Sequence, residues 1–255
     1  MDSNLSKRGG KREGAGRPVG INQKSIQVKL NAGIAELIAS ESSIKLPTNR
    51  NQYINQAIIE KLAKDGYFLK GVIFDFDYTL LDTSVLLPII AEIQNHPSEN
   101  EKDKLWARHD KLVKKCKMYK GMDTVLDFIR RAGIKLTIVT NSIKRRIEVC
   151  TKEFDIPTDE IVGRFSIKPQ IPILKPDKRL FEKALDLMCL SREDVISFGN
   201  TADDILAAHN AGVQSVACKW GASKEEWEEM LKSKPTFTIE RPIEIIPLLI
   251  NHNTN

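Results

Sequence analysis

The spacing of apolar residues changes character along the chain. Lys24-Ser25-Ile26-Gln27-Val28-Lys29-Leu30 alternates polar and apolar, the period of a half-buried strand. Asn31 then stands as a cap before Ile34, Leu37 and Ile38, which share one side of a helix. Pro47-Thr48-Asn49 breaks the chain, and a second helix is predicted over residues 50–64 with Ile54, Ala57, Ile58 and Leu62 on one face. From Gly71 onward, short apolar runs at 72–76, 136–140, 195–199 and 214–218 are separated by helical stretches. That pattern predicts α/β architecture on a parallel sheet. Ligands of such sheets bind beyond the carboxyl ends of the strands, and conspicuous polar groups fall at three of those ends.

Composition divides the chain further. Residues 6–20 hold five glycines and five basic side chains with little that is apolar, which predicts a disordered basic arm over 1–22. A small module is expected over 23–68 and an α/β domain over 69–250. The net charge of +5 lies entirely in the first 30 residues, so a neutral body carries a basic head suited to a polyanion. No apolar run approaches the roughly 18 residues that span a bilayer. With cysteines scattered at 116, 150, 189 and 218, a reducing cytoplasm is the expected setting.

The most informative residues are Asp75 and Asp77, two carboxylates two positions apart at the end of Val72-Ile73-Phe74. A β period points both to the same side, where they repel unless a cation or a proton intervenes. Asp75-Phe76-Asp77-Tyr78-Thr79 resembles the first motif of the haloacid dehalogenase superfamily, mostly Mg²⁺-dependent phosphohydrolases. Three later segments resemble its other motifs in order: Thr140-Asn141, Lys175 in Leu174-Lys175-Pro176-Asp177, and Gly199-Asn200-Thr201-Ala202-Asp203-Asp204. The resemblance implies a Rossmann-like fold with a small helical cap at about 83–119. It implies Asp75 as nucleophile, Asp77 as general acid and base, and Thr140 and Lys175 as partners of the phosphoryl group. Thr79 would brace the loop beside the substrate, and Asn141 would help orient that substrate. Asp75, Asp77, Asn200 and Asp204 would hold Mg²⁺, with Asp203 a further candidate. Asn200 departs from the acid usual at its place and should weaken metal binding. Trp220-Gly221 also resembles small phosphatases of the superfamily. The cap segment is rich in lysine, either a solvated face or a lid that attracts a polyanionic substrate.

The strand, helix, turn and helix of the first 70 residues resemble the ribbon-helix-helix repressors. One strand and two short helices bury too little to stand alone, so the resemblance implies a homodimer. Ser25, Gln27 and Lys29 would then face the major groove, while Arg50 and Asn51 would meet phosphate at the start of the second helix. Gly16-Arg17-Pro18 is similar to an AT-hook, with Arg17 in the minor groove. Two functions follow: a phosphomonoesterase acting on a small-molecule or nucleotide substrate and tethered to DNA, or a DNA-binding regulator whose hydrolase-like domain senses a phosphorylated ligand.

Overall fold

A four-residue strand buried on both faces belongs in the middle of a sheet, and β1 (Gly71–Phe74) lies there. In the computed structural model, which describes residues 50–95 and 98–250, β1 is flanked by β4 (Lys135–Val139) and β6 (Val195–Gly199). Outside these lie β5 (Glu160–Val162), β7 (Gln214–Cys218) and β8 (Phe237–Ile239). The order is β5-β4-β1-β6-β7-β8, and every pairing is parallel. The four central strands match the four apolar runs of the sequence. The edge strands β5 and β8, three residues each, were not anticipated.

Alternation splits the core into two layers. Val72 and Phe74, Leu136 and Ile138, Ile196 and Phe198, and Val216 and Cys218 meet α4 (Met122–Ala132) and α5 (Lys144–Glu153) on one face. Phe74 and Phe198 stack there with ring centroids 4.9 Å apart, each such burial stabilising the fold by about 1.5–3 kcal/mol. On the other face Ile73, Val139 and Val195 meet α6 (Arg179–Met188) and α7 (Ala202–Ala211). The small side chains Ala184, Ala207, Ala208 and Ala211 let those two helices approach closely.

Between β1 and α4 the chain leaves the sheet. A two-stranded antiparallel ribbon, β2 (Leu81–Asp82) with β3 (Lys117–Met118), closes the excursion at its base. It encloses α2 (Leu87–Asn95) and α3 (Glu99–Val113), which pack on one another. Lys104 and Arg108 pair on the exposed side with Glu101 and Glu92, so that part of the basic run is a solvated face. The remaining helices are α8 (Lys224–Lys232) and the short α9 (Ile245–Leu248).

The helix predicted at 50–64 is α1 (Arg50–Lys64), but its buried side differs from the expected one. Ile59, Leu62 and Ala63 pack against the hydrolase core, whereas Ile58 is 48% exposed and Ala57 is exposed. A step of one residue turns a helix by about 100°, so the run Ala57-Ile58-Ile59 offers two apolar sides, and contact with the α/β domain selects the second. The arm at 1–22 and the strand and first helix of the module lie outside the described residues.

Candidate active site

Past β1 the chain continues the ladder for one more residue, Asp75 N donating to Phe198 O at 2.9 Å. It then folds into a tight loop in which Tyr78 takes a left-handed φ of +62° and its N–H donates to Leu81 O at 2.8 Å. The loop after β7 clamps this turn. Trp220 Nε1 donates to Thr79 O at 3.0 Å, and a Cβ on Gly221 would sit 1.8 Å from the Tyr78 carbonyl oxygen. Trp220-Gly221 therefore holds the Asp75 loop from behind, and only glycine permits the approach.

Three buried charges form the centre. Lys175 Nζ donates to Asp75 Oδ1 and to Asp204 Oδ1, both at 2.5 Å, and to Val139 O at 3.2 Å. Burial lowers the ammonium's tendency to hold its proton, but Asp204 and Asp75 more than reverse this, and Lys175 stays charged. Burial pushes Asp75 up to about 7. Lys175 opposes that rise, while Asp204 and Asp77 add to it. Asp204 reaches the group because Gly199 lacks a Cβ, which would lie 2.3 Å from Asp204 Cβ. Its other oxygen, Oδ2, accepts from Thr201 N at 3.0 Å and Thr201 Oγ1 at 2.7 Å.

Asp77 is turned to a separate partner. Arg146, on α5 and buried, donates to both its oxygens at 2.7 and 2.6 Å, and Thr83 Oγ1 donates at 2.5 Å. Burial alone would raise Asp77. The two-pronged Arg146 contact and the Thr83 hydroxyl outweigh it and hold the carboxyl below its ordinary range.

Among the described residues no group of three or more His, Cys, Asp or Glu side chains is spaced to hold a metal. The donors that do converge are mixed. One polar atom of the buried Asn200 amide lies 3.0 Å from the Asp77 main-chain oxygen, 3.3 Å from Asp75 Oδ2 and 2.9 Å from Thr79 Oγ1. Without a cation that atom must be the nitrogen, because only an N–H satisfies such acceptors. With the amide turned, three oxygens converge instead. Oxygens around Mg²⁺ lie at about 2.1 Å, which puts neighbours on the octahedron about 3.0 Å apart. The separations at Asn200 fit that spacing. Asp75, Asp77 and Asp204 against Lys175 and Arg146 leave one net negative charge, which also suits a divalent cation. Asp204 accepts from Lys175 through Oδ1 and from Thr201 through Oδ2, which fixes its carboxylate beside Asp75.

These groups open on a cavity of about 370 Å³ whose lining includes Asp75, Asp77, Thr140, Ser142, Arg146 and Lys175. Comparison with known proteins shows the family. The family model described as haloacid dehalogenase-like hydrolase matches residues 89–218, just over half of the chain. The chain belongs to that family. It is 26% identical over 145 residues to the pyrophosphatase PpaX of Bacillus cereus, covering 57% of this chain and 64% of that protein. It is 32% identical over 143 residues to a provisionally named PpaX pyrophosphatase of Caldanaerobacter subterraneus, covering 55% and 61%. The chain thus spans less than two thirds of the length of these curated relatives. Among solved structures, a provisionally assigned phosphoglycolate phosphatase from Lactobacillus delbrueckii superposes with a TM-score of 0.58 at 17% identity, covering 72% of this chain and all of that one. A haloacid dehalogenase-like family hydrolase from Streptococcus pneumoniae gives 0.53 at 19%, covering 71% and 98%. These likenesses are of fold.

As a haloacid dehalogenase-like hydrolase, the chain gathers Asp75, Asp77, Thr140, Asn141, Lys175, Asn200 and Asp204 around one cavity. Thr79 is fully buried beneath it and supports the loop without lining the cavity. Thr140 Oγ1 accepts from Ser142 N at 3.1 Å. Asn141 Oδ1 accepts from Lys175 N at 2.7 Å, so this amide also orients the lysine. Asp203 is exposed. Arg17, Ser25, Gln27 and Lys29 lie outside the described residues, while Arg50 and Asn51 open α1. Arg146, Thr83 and Arg164, whose Nε donates to Asn141 O at 2.6 Å, were not singled out from sequence. Helical side chains lean toward the N-terminus, and Arg146 opens α5 just past Thr140-Asn141-Ser142. That position was the available signal, hidden within the basic run Lys144-Arg145-Arg146.

Proposed function

We propose that the chain is a Mg²⁺-dependent phosphohydrolase of phosphomonoesters, small-molecule or nucleotide, working through an aspartyl-phosphate on Asp75. The observation that carries this reading is a buried carboxylate whose one oxygen is bound by a buried ammonium, both lining a cavity. Asp75 attacks phosphorus and the bond to the leaving oxygen breaks, with a proton from Asp77 completing the released alcohol. Asp77 then takes a proton from the water that attacks the phosphoryl-Asp75, which frees phosphate and restores Asp75. In the resting site Arg146 and Thr83 hold Asp77 ionised, the form required by this second step. For the first step Asp77 takes up a proton from solvent, as the negative charge of the bound phosphoryl group favours it. Lys175 offsets the charge on Asp75 and the phosphoryl oxygens. Held by Asp75, the Asp77 carbonyl and Asn200, Mg²⁺ would neutralise charge at the same oxygens. Relatives named as phosphatases and pyrophosphatases support the reaction class.

One observation favours the alternative, a regulator whose hydrolase domain senses a phosphorylated ligand. Asn200 is placed to organise Asp75 and Asp77 without a metal. In either reading, the basic head and the exposed Ala57 and Ile58 of α1 support a dimeric, DNA-binding N-terminal module, and the scattered free cysteines a reducing cytoplasm. Mg²⁺-dependent phosphate release from a panel of phosphomonoesters, run beside Asp75→Asn, separates enzyme from sensor. Turnover lost in the variant sustains the enzyme. Absence of turnover in the parent, with activity appearing in Asn200→Asp, sustains the sensor.

A further inference from the structure

A second cavity, of about 400 Å³, adjoins the first, and Ile90, Gln94, Ser142, Arg146 and Arg164 line both. Beyond this shared wall its character changes. Ile93 and Trp106 from α2 and α3 face it, as do Ile143 and Phe165 from the core. We propose that this compartment receives the leaving group of the substrate, and that the leaving group is a large, flat, ring-bearing alcohol such as a nucleoside. The inference rests on the phosphomonoesterase reading and extends it to a substrate class.

Size argues for it first. A compartment of this volume lies within the roughly 300–1,000 Å³ of pockets built for whole organic ligands. The leaving group of phosphoglycolate, a two-carbon acid, or of pyrophosphate, a second phosphate, fills little of it. Chemistry argues in the same direction. Lys102, Arg146 and Arg164 could hold an anion, but a small one would leave Ile90, Ile93, Ile143, Trp106 and Phe165, the greater part of the wall, without a partner. A ring fits such walls, while Gln94, Ser142 and Arg164, which line both cavities, offer polar partners to its hydroxyls.

The wall is also ready-made. Arg145 lies over the Trp106 ring, 4.3 Å from its centroid, and His109 meets it edge-on at 5.2 Å. An aromatic held in this way loses little freedom when a ligand arrives. Leu87, lining the first cavity, and Phe165, lining the second, remain 53% and 39% exposed. They provide apolar area for a bound ring to cover.

The test compares kcat/KM, with Mg²⁺ present, for nucleoside 5′-monophosphates and p-nitrophenyl phosphate against phosphoglycolate and pyrophosphate. Phe165→Ala, at a partly exposed position that folding tolerates, is measured beside the parent. The expected result is a preference for ring-bearing substrates whose ratio over phosphoglycolate falls about tenfold in Phe165→Ala, mostly through KM. Tenfold corresponds to about 1.4 kcal/mol, the loss expected when a ring no longer stacks on an aromatic side chain. Preference for phosphoglycolate or pyrophosphate, with a ratio unmoved by Phe165→Ala, overturns the proposal. Calorimetric binding of nucleoside monophosphates to Asp75→Asn separates the two readings. Binding that weakens when Phe165→Ala is added sustains the compartment even if no substrate turns over. Absence of binding removes it.

Discussion

Replacing Asn200 by Asp adds a carboxylate about 3 Å from the oxygens that the amide now satisfies. At 3.3 Å from Asp75 Oδ2, two ionised carboxylates repel by roughly 5 kcal/mol at an effective dielectric of 20. Folding need not bear all of that, because Asp75 can take up a proton. Its carboxyl already stands at about 7, so protonation at pH 8 costs about 1.4 kcal/mol, and about as much again for each further pH unit. The variant's folded state then holds one proton that the unfolded chain lacks. Its stability deficit therefore grows as pH rises above about 7 and fades below it. For a domain of this size each 1 kcal/mol moves Tm by about 2–4 °C, so metal-free Asn200→Asp should melt about 3–6 °C below the parent at pH 8. Mg²⁺ should reverse the deficit. The added carboxylate tightens the site, and a cation at a hundred times its Kd stabilises by about 2.7 kcal/mol. Thermal melts with EDTA or Mg²⁺ at pH 6.5, 7.5 and 8.5 measure all of this. Equal melting of both proteins at every pH, with equal Mg²⁺ shifts, would refute the placement of Asn200 against Asp75 and the cation.

Other perturbations probe the same site. Arg146→Gln leaves the half-buried Asp77 carboxylate without its two-pronged partner and should cost about 1–3 kcal/mol, with kcat falling more than KM rises; Arg146→Lys should recover part of the stability in chemical denaturation. Gly221→Ala drives a methyl group into the Tyr78 carbonyl and should abolish turnover through the displaced Asp75 loop, read by kinetics beside a melt that still shows a folded protein. If the N-terminal module dimerises through the exposed side of α1, Ile58→Glu should shift full-length protein toward monomer in sedimentation. The same variant should weaken salt-dependent DNA binding while phosphate release persists.

Much of the hydrolase domain is legible in the sequence because burial on both faces leaves a plain mark. Val72-Ile73-Phe74 and Val195–Gly199 read as central strands without any structure. The edge strands β5 and β8 carry too little pattern, since Glu160 is half-buried and Phe237 and Thr238 are exposed. Asp75, Thr140 and Asn200 stand out as polar residues closing apolar runs. Arg146 does not, because a basic triplet opening a helix ordinarily faces water, and its partner Asp77 lies 69 residues away. The orientation of α1 was hidden for a related reason. Ile58 and Ile59 are equally apolar, and only contact with the rest of the fold decides which is covered.

The central claim is that Asp75 is the nucleophile that accepts the phosphoryl group, and the most direct measurement is acid-quenched trapping of the phosphoenzyme from a radiolabelled substrate. The account predicts a label that survives acid, is released by hydroxylamine as an acyl phosphate, maps to the peptide containing Asp75, and is missing from Asp75→Asn. A protein that turns over substrate without forming such a label, or that carries it elsewhere, would contradict the account.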